Sequence, residues 1–170
     1  MTLESASECI LTDMASCCGS DRAEELHSIC PVSGTRGKRL ELLTVKALLR
    51  ESALVRVSVT EHHFCPDAKC DVVYFDAAGS TYRRDDVRVR VWEKELPGGR
   101  TICYCFGENE ADIRREFEHC GTSDAVARVR AHIQAGRCAC EIRNPRGVCC
   151  LGDVTAAVER VRQAAGELSR

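Results

Sequence analysis

Thirteen cysteines in a chain that shows no export signal constrain this sequence more than any other feature. In a reducing compartment disulfides are rare, and clustered cysteines there bind metal or do redox chemistry. The odd number also argues against a purely disulfide-bonded framework. The opening Met-Thr-Leu-Glu-Ser-Ala-Ser-Glu-Cys has neither a basic n-region nor an apolar h-region, unlike a secretory signal. No apolar run approaches the roughly 18–20 residues of a membrane span. A cytoplasmic protein is therefore expected. A net charge of −2 spread over many residues of both signs gives no reason to expect nucleic acid as a partner. There is no Gly-rich phosphate loop and no nucleophile–base pair, so no enzymatic activity is expected. Lys38-Arg39 and Arg83-Arg84 read as solvated faces.

The patterning predicts an α+β fold: a small antiparallel-sheet lobe followed by a small helical lobe. Residues 1–29 read as a polar, mobile arm carrying Cys9, Cys17 and Cys18. Residues 30–99 form the α+β lobe. It opens with turn chemistry at Cys30-Pro31-Val32-Ser33-Gly34 and continues with a short helix from Leu40 to Leu49, in which Leu43 or Val45 and Leu48 or Leu49 point inward. Strands are expected where Val55, Val57 and Val59 alternate with polar residues, along Asp71-Val72-Val73-Tyr74-Phe75, and where Val87, Val89 and Val91 alternate. The connections are too short for helical crossovers, so the sheet should be antiparallel. Leu96-Pro97-Gly98-Gly99 closes the lobe. Residues 100–170 are helical. Ile113 and Phe117 mark one helix. Val126, Val129 and Ile133 mark a second, started by Ser123-Asp124 and stopped by Gly136. Val154, Val158 and Val161 mark a third. Cys120 follows the first apolar stripe without a close cysteine neighbour and reads as a small buried hydrophobe.

Six cysteines converge on the ends of these helices. Cys103-Tyr104-Cys105 precedes the first, while Cys138-Ala139-Cys140 and Cys149-Cys150 bracket a loop built on Asn144-Pro145-Arg146-Gly147. Four thiolates usually hold a [2Fe–2S] centre, and the unpaired N–H groups of a helix start favour anionic cluster sulfurs. The same thiolates would suit zinc, and spacing alone does not separate the two.

Three segments carry a resemblance. They are Phe64-Cys65-Pro66-Asp67-Ala68-Lys69-Cys70-Asp71-Val72-Val73-Tyr74-Phe75, Cys103-Tyr104-Cys105-Phe106-Gly107 and Asn144-Pro145-Arg146-Gly147-Val148-Cys149-Cys150. In order and spacing they resemble the N-terminal domain of CopZ-type copper chaperones, over about residues 30–160. The resemblance implies one zinc in the first lobe and one [2Fe–2S] cluster in a second lobe similar to bacterioferritin-associated ferredoxin. It assigns the cluster to Cys103, Cys105, Cys140 and Cys150, with Cys138 and Cys149 close enough to substitute. For the first lobe it implies a C-x-x-C turn plus a second cysteine pair. Here Cys30, Cys65 and Cys70 are present, but Ser33 stands where a thiolate is expected, and neutral Ser is a poor zinc ligand. Water, His62, His63 or a thiol of the arm could complete the shell. The reading of the tandem pair favoured over ligation is that at least one of His62 and His63 faces solvent.

The family's Met-x-Cys-x-x-Cys copper motif does not occur in the sequence, which weakens a direct role in copper delivery. The resemblance points to a metallochaperone or metal-binding accessory protein, with a [2Fe–2S] centre for electron transfer or redox sensing. A step such as reduction of Cu(II) to Cu(I) before thiolate capture would follow from it. The alternatives are a ferredoxin-like electron carrier with a structural zinc lobe, and a thiol scavenger of soft metals such as mercury. The expected partners are a soft metal ion and an unidentified redox or metal-acceptor protein.

Overall fold

The computed structural model describes residues 27–168, so Cys9, Cys17 and Cys18 lie outside the described residues. The fold is α+β, an antiparallel sheet followed by helices. In chain order the sheet half contains β1 (Lys38–Leu40), α1 (Leu42–Leu48), α2 (Glu51–Leu54), β2 (His62–Phe64), β3 (Val72–Asp76) and β4 (Thr81–Arg83). Two 3-10 turns follow, Arg84–Asp86 and Trp92–Lys94. The helical half begins with a hairpin of β5 (Thr101–Cys103) and β6 (Glu108–Asn109). It continues with α3 (Glu110–Cys120), α4 (Ala125–Gln134), α5 (Cys140–Arg143) and α6 (Leu151–Leu168).

The four-stranded sheet runs β1-β2-β3-β4, antiparallel throughout. Its centre, β3, is a continuous β-favouring run and is buried along its whole length. A register shift between Val72 and Tyr74 breaks the two-residue alternation. Val73 and Tyr74 join the core formed with Val45, Leu48, Leu49 and Tyr82, whereas Val72 and Phe75 pack with Cys30, Cys65 and Cys70. Gly37 lets this edge close up: a Cβ there would lie 2.5 Å from the Phe75 ring and 2.8 Å from the His63 Cβ.

Several expectations change in the folded chain. Val55–Val59 is not a strand; Arg56 and Val57 donate back to Ala53 and Leu54 in a turn, leaving Val55 and Val59 in solvent. The alternation at Val87–Val91 does describe burial, yet the segment makes only an isolated bridge between Val87 and Leu49. In α1 it is Val45 and Leu48 that turn inward, with Leu49 buried at its end, while Leu43 is exposed. Cys120, expected to be buried, is exposed at the last position of α3, just before Gly121 ends the helix at φ 70°.

The second core gathers Ile102, Cys103, Ile113, Val129, Cys150 and Val154, with α3 and α4 both packed on α6. As expected, Ile113, Val129 and Val154 are its fully buried stripe residues. The helical half leans on the sheet half through the loop after α5. There α1 packs against α5, Arg146 lies 2.7 Å from Glu93, and Arg146 also pairs with Asp153. Gly147 sits at φ 65° with its face against Thr44, where a Cβ would come within 2.8 Å of the Thr44 hydroxyl. A side chain would be opposed there by both backbone conformation and space.

Candidate metal centres

Three buried thiols meet at the end of the central β2–β3 pair. Cys30 opens a turn in which Gly34 N–H donates to the Cys30 carbonyl at 2.9 Å, and the turn completes at Gly34 with φ 69°. Cys65 leaves β2 with its N–H bonded to the Val73 carbonyl at 2.9 Å. Cys70 enters β3 from a loop shaped by Asp67, whose carboxylate accepts from Lys69 N–H at 2.9 Å and whose carbonyl accepts from Cys70 N–H at 3.1 Å. The three sulfurs all lie within 4.8 Å of one another. Zinc–sulfur bonds of about 2.3 Å in a tetrahedron put sulfurs about 3.8 Å apart, so this donor set suits a single thiophilic ion with little movement.

The Ser33 hydroxyl lies 3.4 Å from Cys65 Sγ and accepts from Thr35 N–H at 3.3 Å. It therefore borders the three sulfurs at the position where a fourth thiolate was expected. Burial pushes the Cys65 thiol up. Burial works the same way on Cys30 but is outweighed there by hydrogen bonds from the Ser33 hydroxyl and the Ser33 and Val32 amides, which hold this thiol below its usual range. Neither histidine joins the group. Contrary to expectation both are buried: His62 bonds through Nδ1 to the Thr60 carbonyl at 2.8 Å, and His63 stacks on Phe75 at 5.3 Å.

The helical half arranges its thiols differently. Cys103 ends β5, and the turn to β6 closes by a Gly107 N–H bond to the Cys103 carbonyl at 2.8 Å. Phe106 of this turn stacks on His132 of α4 at 3.9 Å, and Glu108 takes two 2.8 Å hydrogen bonds from Arg128. The C-x-C turn is thus fixed to α4 on both sides. Cys140 begins α5 and Cys150 immediately precedes α6. Cys105 and Cys140 sulfurs are 3.7 Å apart, and Cys103 and Cys150 are buried together in the second core. Among the described residues only the Cys30, Cys65 and Cys70 group brings three donors within 4.8 Å.

The bond from Cys150, with the amides of Phe106 and Cys105, outweighs burial and pulls the Cys103 thiol down to about 7. Its partner Cys150 is correspondingly pushed up, first by that same bond and then by burial. Burial and the Cys105 contact push Cys140 up to about 12. Cys105 also accepts from Ala139 N–H at 3.4 Å. Cys138 is only half-buried and Cys149 is exposed, whereas Cys103, Cys140 and Cys150 are buried.

Two neighbours of these sites had no signal in the sequence. Tyr104, between the cysteines of the C-x-C turn, accepts from Trp92 N–H at 2.9 Å and donates to the Arg90 carbonyl at 2.8 Å. Lys94 is buried with its Nζ against the Asp67 and Cys70 carbonyls. Of the arginine pairs, Arg39 and Arg83 keep mostly exposed side chains, but Arg84 reaches inward to the Lys94 and Ala68 carbonyls.

The three buried thiols in this α+β chain are the donor set of a metal-binding protein, the class that the fold and site define among the described residues. Residues 27–88 match a family described as a zinc-binding domain of the CopZ type. The copper chaperone CopZ of Archaeoglobus fulgidus is 31% identical over 121 residues, 71% of this chain and 57% of the relative. The X-ray structure of the CopZ N-terminal domain from the same organism superposes with a TM-score of 0.61 at 29% identity, covering 75% of this chain and 95% of that one. Over this N-terminal domain the chain is similar to the CopZ-type family. It spans a little over half the length of the curated relative it matches. No helix among the described residues is long and apolar enough to cross a membrane.

Proposed function

We propose that this chain is a metal-binding accessory protein of soft-metal handling, a metallochaperone for copper or a similarly thiophilic ion. In this reading residues 30–99 form a unit that holds zinc or a soft ion on Cys30, Cys65 and Cys70. Residues 100–170 form a unit that holds a [2Fe–2S] cluster on Cys103, Cys105, Cys140 and Cys150. The observation that carries it is the contrast between the two sets of sulfurs. A mononuclear ion needs its donors mutually close, as they are at Cys30, Cys65 and Cys70. A two-iron centre needs two pairs, one for each iron; Cys105 with Cys140, 3.7 Å apart, and Cys103 with Cys150, buried in one core, would supply them. The backbone amides of Phe106 and Cys105 favour thiolate at Cys103, and the Ala139 N–H donates to Cys105 Sγ. Such a cluster supplies one-electron transfer. The residues around it exclude water from three of the four sulfurs and fix the C-x-C turn. The copper in the relative's name supports the choice of a thiophilic cargo.

The test is anaerobic purification with metal and sulfide analysis and an optical spectrum. About two irons and two sulfides per chain are expected for a [2Fe–2S] site, together with zinc. A colourless protein that carries zinc alone would remove the cluster from this reading. A coloured protein that binds no copper or mercury in titration would favour a plain electron carrier.

A further inference from the structure

Lys94 is 5% exposed, yet its ammonium has no carboxylate within 4.0 Å among the described residues. Its Nζ donates to the Asp67 carbonyl at 2.9 Å and to the Cys70 carbonyl at 3.1 Å, and it lies 5.8 Å from the centre of the Phe64 ring. Two carbonyls and a ring face orient the group without supplying a negative charge. A buried cation left in that state costs several kcal/mol. The carbonyls it holds belong to the loop that carries Cys70, and Phe64 directly precedes Cys65.

The charge count at the three-thiol site explains the lysine. Three thiolates around a divalent ion leave one surplus negative charge, and the neutral Ser33 hydroxyl adds none. The buried Lys94 ammonium, held on the Cys70 carbonyl, brings one balancing positive charge to the loop that carries Cys70. We infer that Lys94 is the counter-ion of the Cys30, Cys65 and Cys70 site, a positioning residue that fits it to a divalent ion held by three thiolates. This rests on the proposed use of those cysteines as ligands. It adds that the lysine outside the ligand shell, as much as the missing fourth cysteine, sets which complex the site favours. No atom of Lys94 binds the ion; its charge acts across the Cys65–Cys70 loop that its own hydrogen bonds hold in place.

Zinc is the probe, measured by chelator competition on the full chain with wild type, Lys94→Met, Lys94→Gln and Lys94→Arg, alongside thermal unfolding of the metal-free proteins. The two neutral variants should bind zinc about 10–100-fold more weakly, the usual cost of losing a partner outside the ligand shell. Lys94→Arg should recover most of that loss. A strut would instead lower the stability of metal-free and zinc-loaded protein equally and leave zinc affinity unchanged, which overturns the inference. Equal zinc affinity of Lys94→Arg and Lys94→Gln also overturns it, and that comparison stands even if Lys94→Met does not fold. Wild type that binds no zinc at these cysteines would overturn the reading of the site itself, a result distinct from either.

Discussion

The Tyr74 hydroxyl donates a 3.0 Å hydrogen bond to the Pro145 carbonyl, joining the middle of β3 to the loop that separates Cys140 from Cys150. The bond is fully buried, and Pro145 has no N–H of its own with which to tie the loop down. Asn144 shapes the same loop from inside, accepting from Arg146 N–H at 3.0 Å and donating to the Val148 carbonyl at 2.7 Å. Tyr74 is therefore the sheet's direct hold on the segment that presents two of the proposed cluster cysteines.

Tyr74→Phe keeps the ring and removes only this donor, leaving a buried carbonyl without its partner. The expected cost is about 1–3 kcal/mol, read as a lower denaturant midpoint with an unchanged slope. An unchanged midpoint would show that the loop holds itself without the sheet.

The elements legible in the sequence are those whose pattern matches what buries them. The run Val72–Phe75 could hardly be anything but a central strand, and the stripes through Ile113, Val129 and Val154 each face one core. The alternation at Val55–Val59 failed because a two-residue period specifies a face but not a partner, and the Arg56 and Val57 N–H groups are taken by the turn on Ala53 and Leu54. β4 was missed because Thr81-Tyr82-Arg83 is too short to show any period; only the packing of Tyr82 reveals it. The cysteines at the candidate sites were legible through the family's spacing. Lys94 was not, since a lone lysine carries no sign that its head will be buried.

At the first site Ser33→Cys should tighten zinc, because it places an anionic sulfur where a hydroxyl now lies 3.4 Å from Cys65 Sγ. Metal that binds only the folded chain stabilises it by mass action, so the zinc-loaded variant should also melt higher than loaded wild type. Chelator competition and thermal unfolding check both, with a chain starting at Ser28 as control for thiols of the arm. Affinity unchanged by substitution and truncation alike would mean that a ligand from residues 28–98 already completes the shell.

At the second site Cys140→Ala and Cys150→Ala should bleach the visible absorbance far more than Cys138→Ala and Cys149→Ala. The first two are buried and paired with Cys105 and Cys103, while Cys149 is exposed and Cys138 only half-buried. The spectrum of each anaerobically purified variant is the readout. The reverse order would move the ligand set by one or two positions.

The junction between the halves depends on a buried carboxylate whose contribution varies with pH. Glu110, 5% exposed at the start of α3, accepts from Gly98 N–H at 2.8 Å and from Arg100 Nε at 3.0 Å, with a second short contact from Arg100 Nη2. Arg160 of α6 approaches to 3.5 Å, and Arg100 also lies over the Trp92 ring at 5.1 Å. One carboxylate therefore ties Gly98, Arg100 just before β5, and Arg160 of α6 together. Burial works to raise its pKa, but the Arg100 and Gly98 hydrogen bonds and the two cations outweigh it and hold Glu110 below the usual carboxylate range. In the unfolded chain the group titrates near its ordinary value of about 4.3. Above that pH both states are ionised and the full stabilisation is present. As pH falls the unfolded state takes up its proton first, so the stabilisation declines until the folded carboxyl is protonated as well. Glu110→Gln keeps the shape and loses the charge, and should cost about 1.5–3 kcal/mol at neutral pH, the range for hydrogen bonds to a charged group. Urea unfolding of metal-free wild type and variant at pH 7, 5 and 3 should show the difference shrinking only below about pH 4.3. A difference that is constant with pH would mean that the glutamine fails for its shape and that the charge on Glu110 contributes nothing.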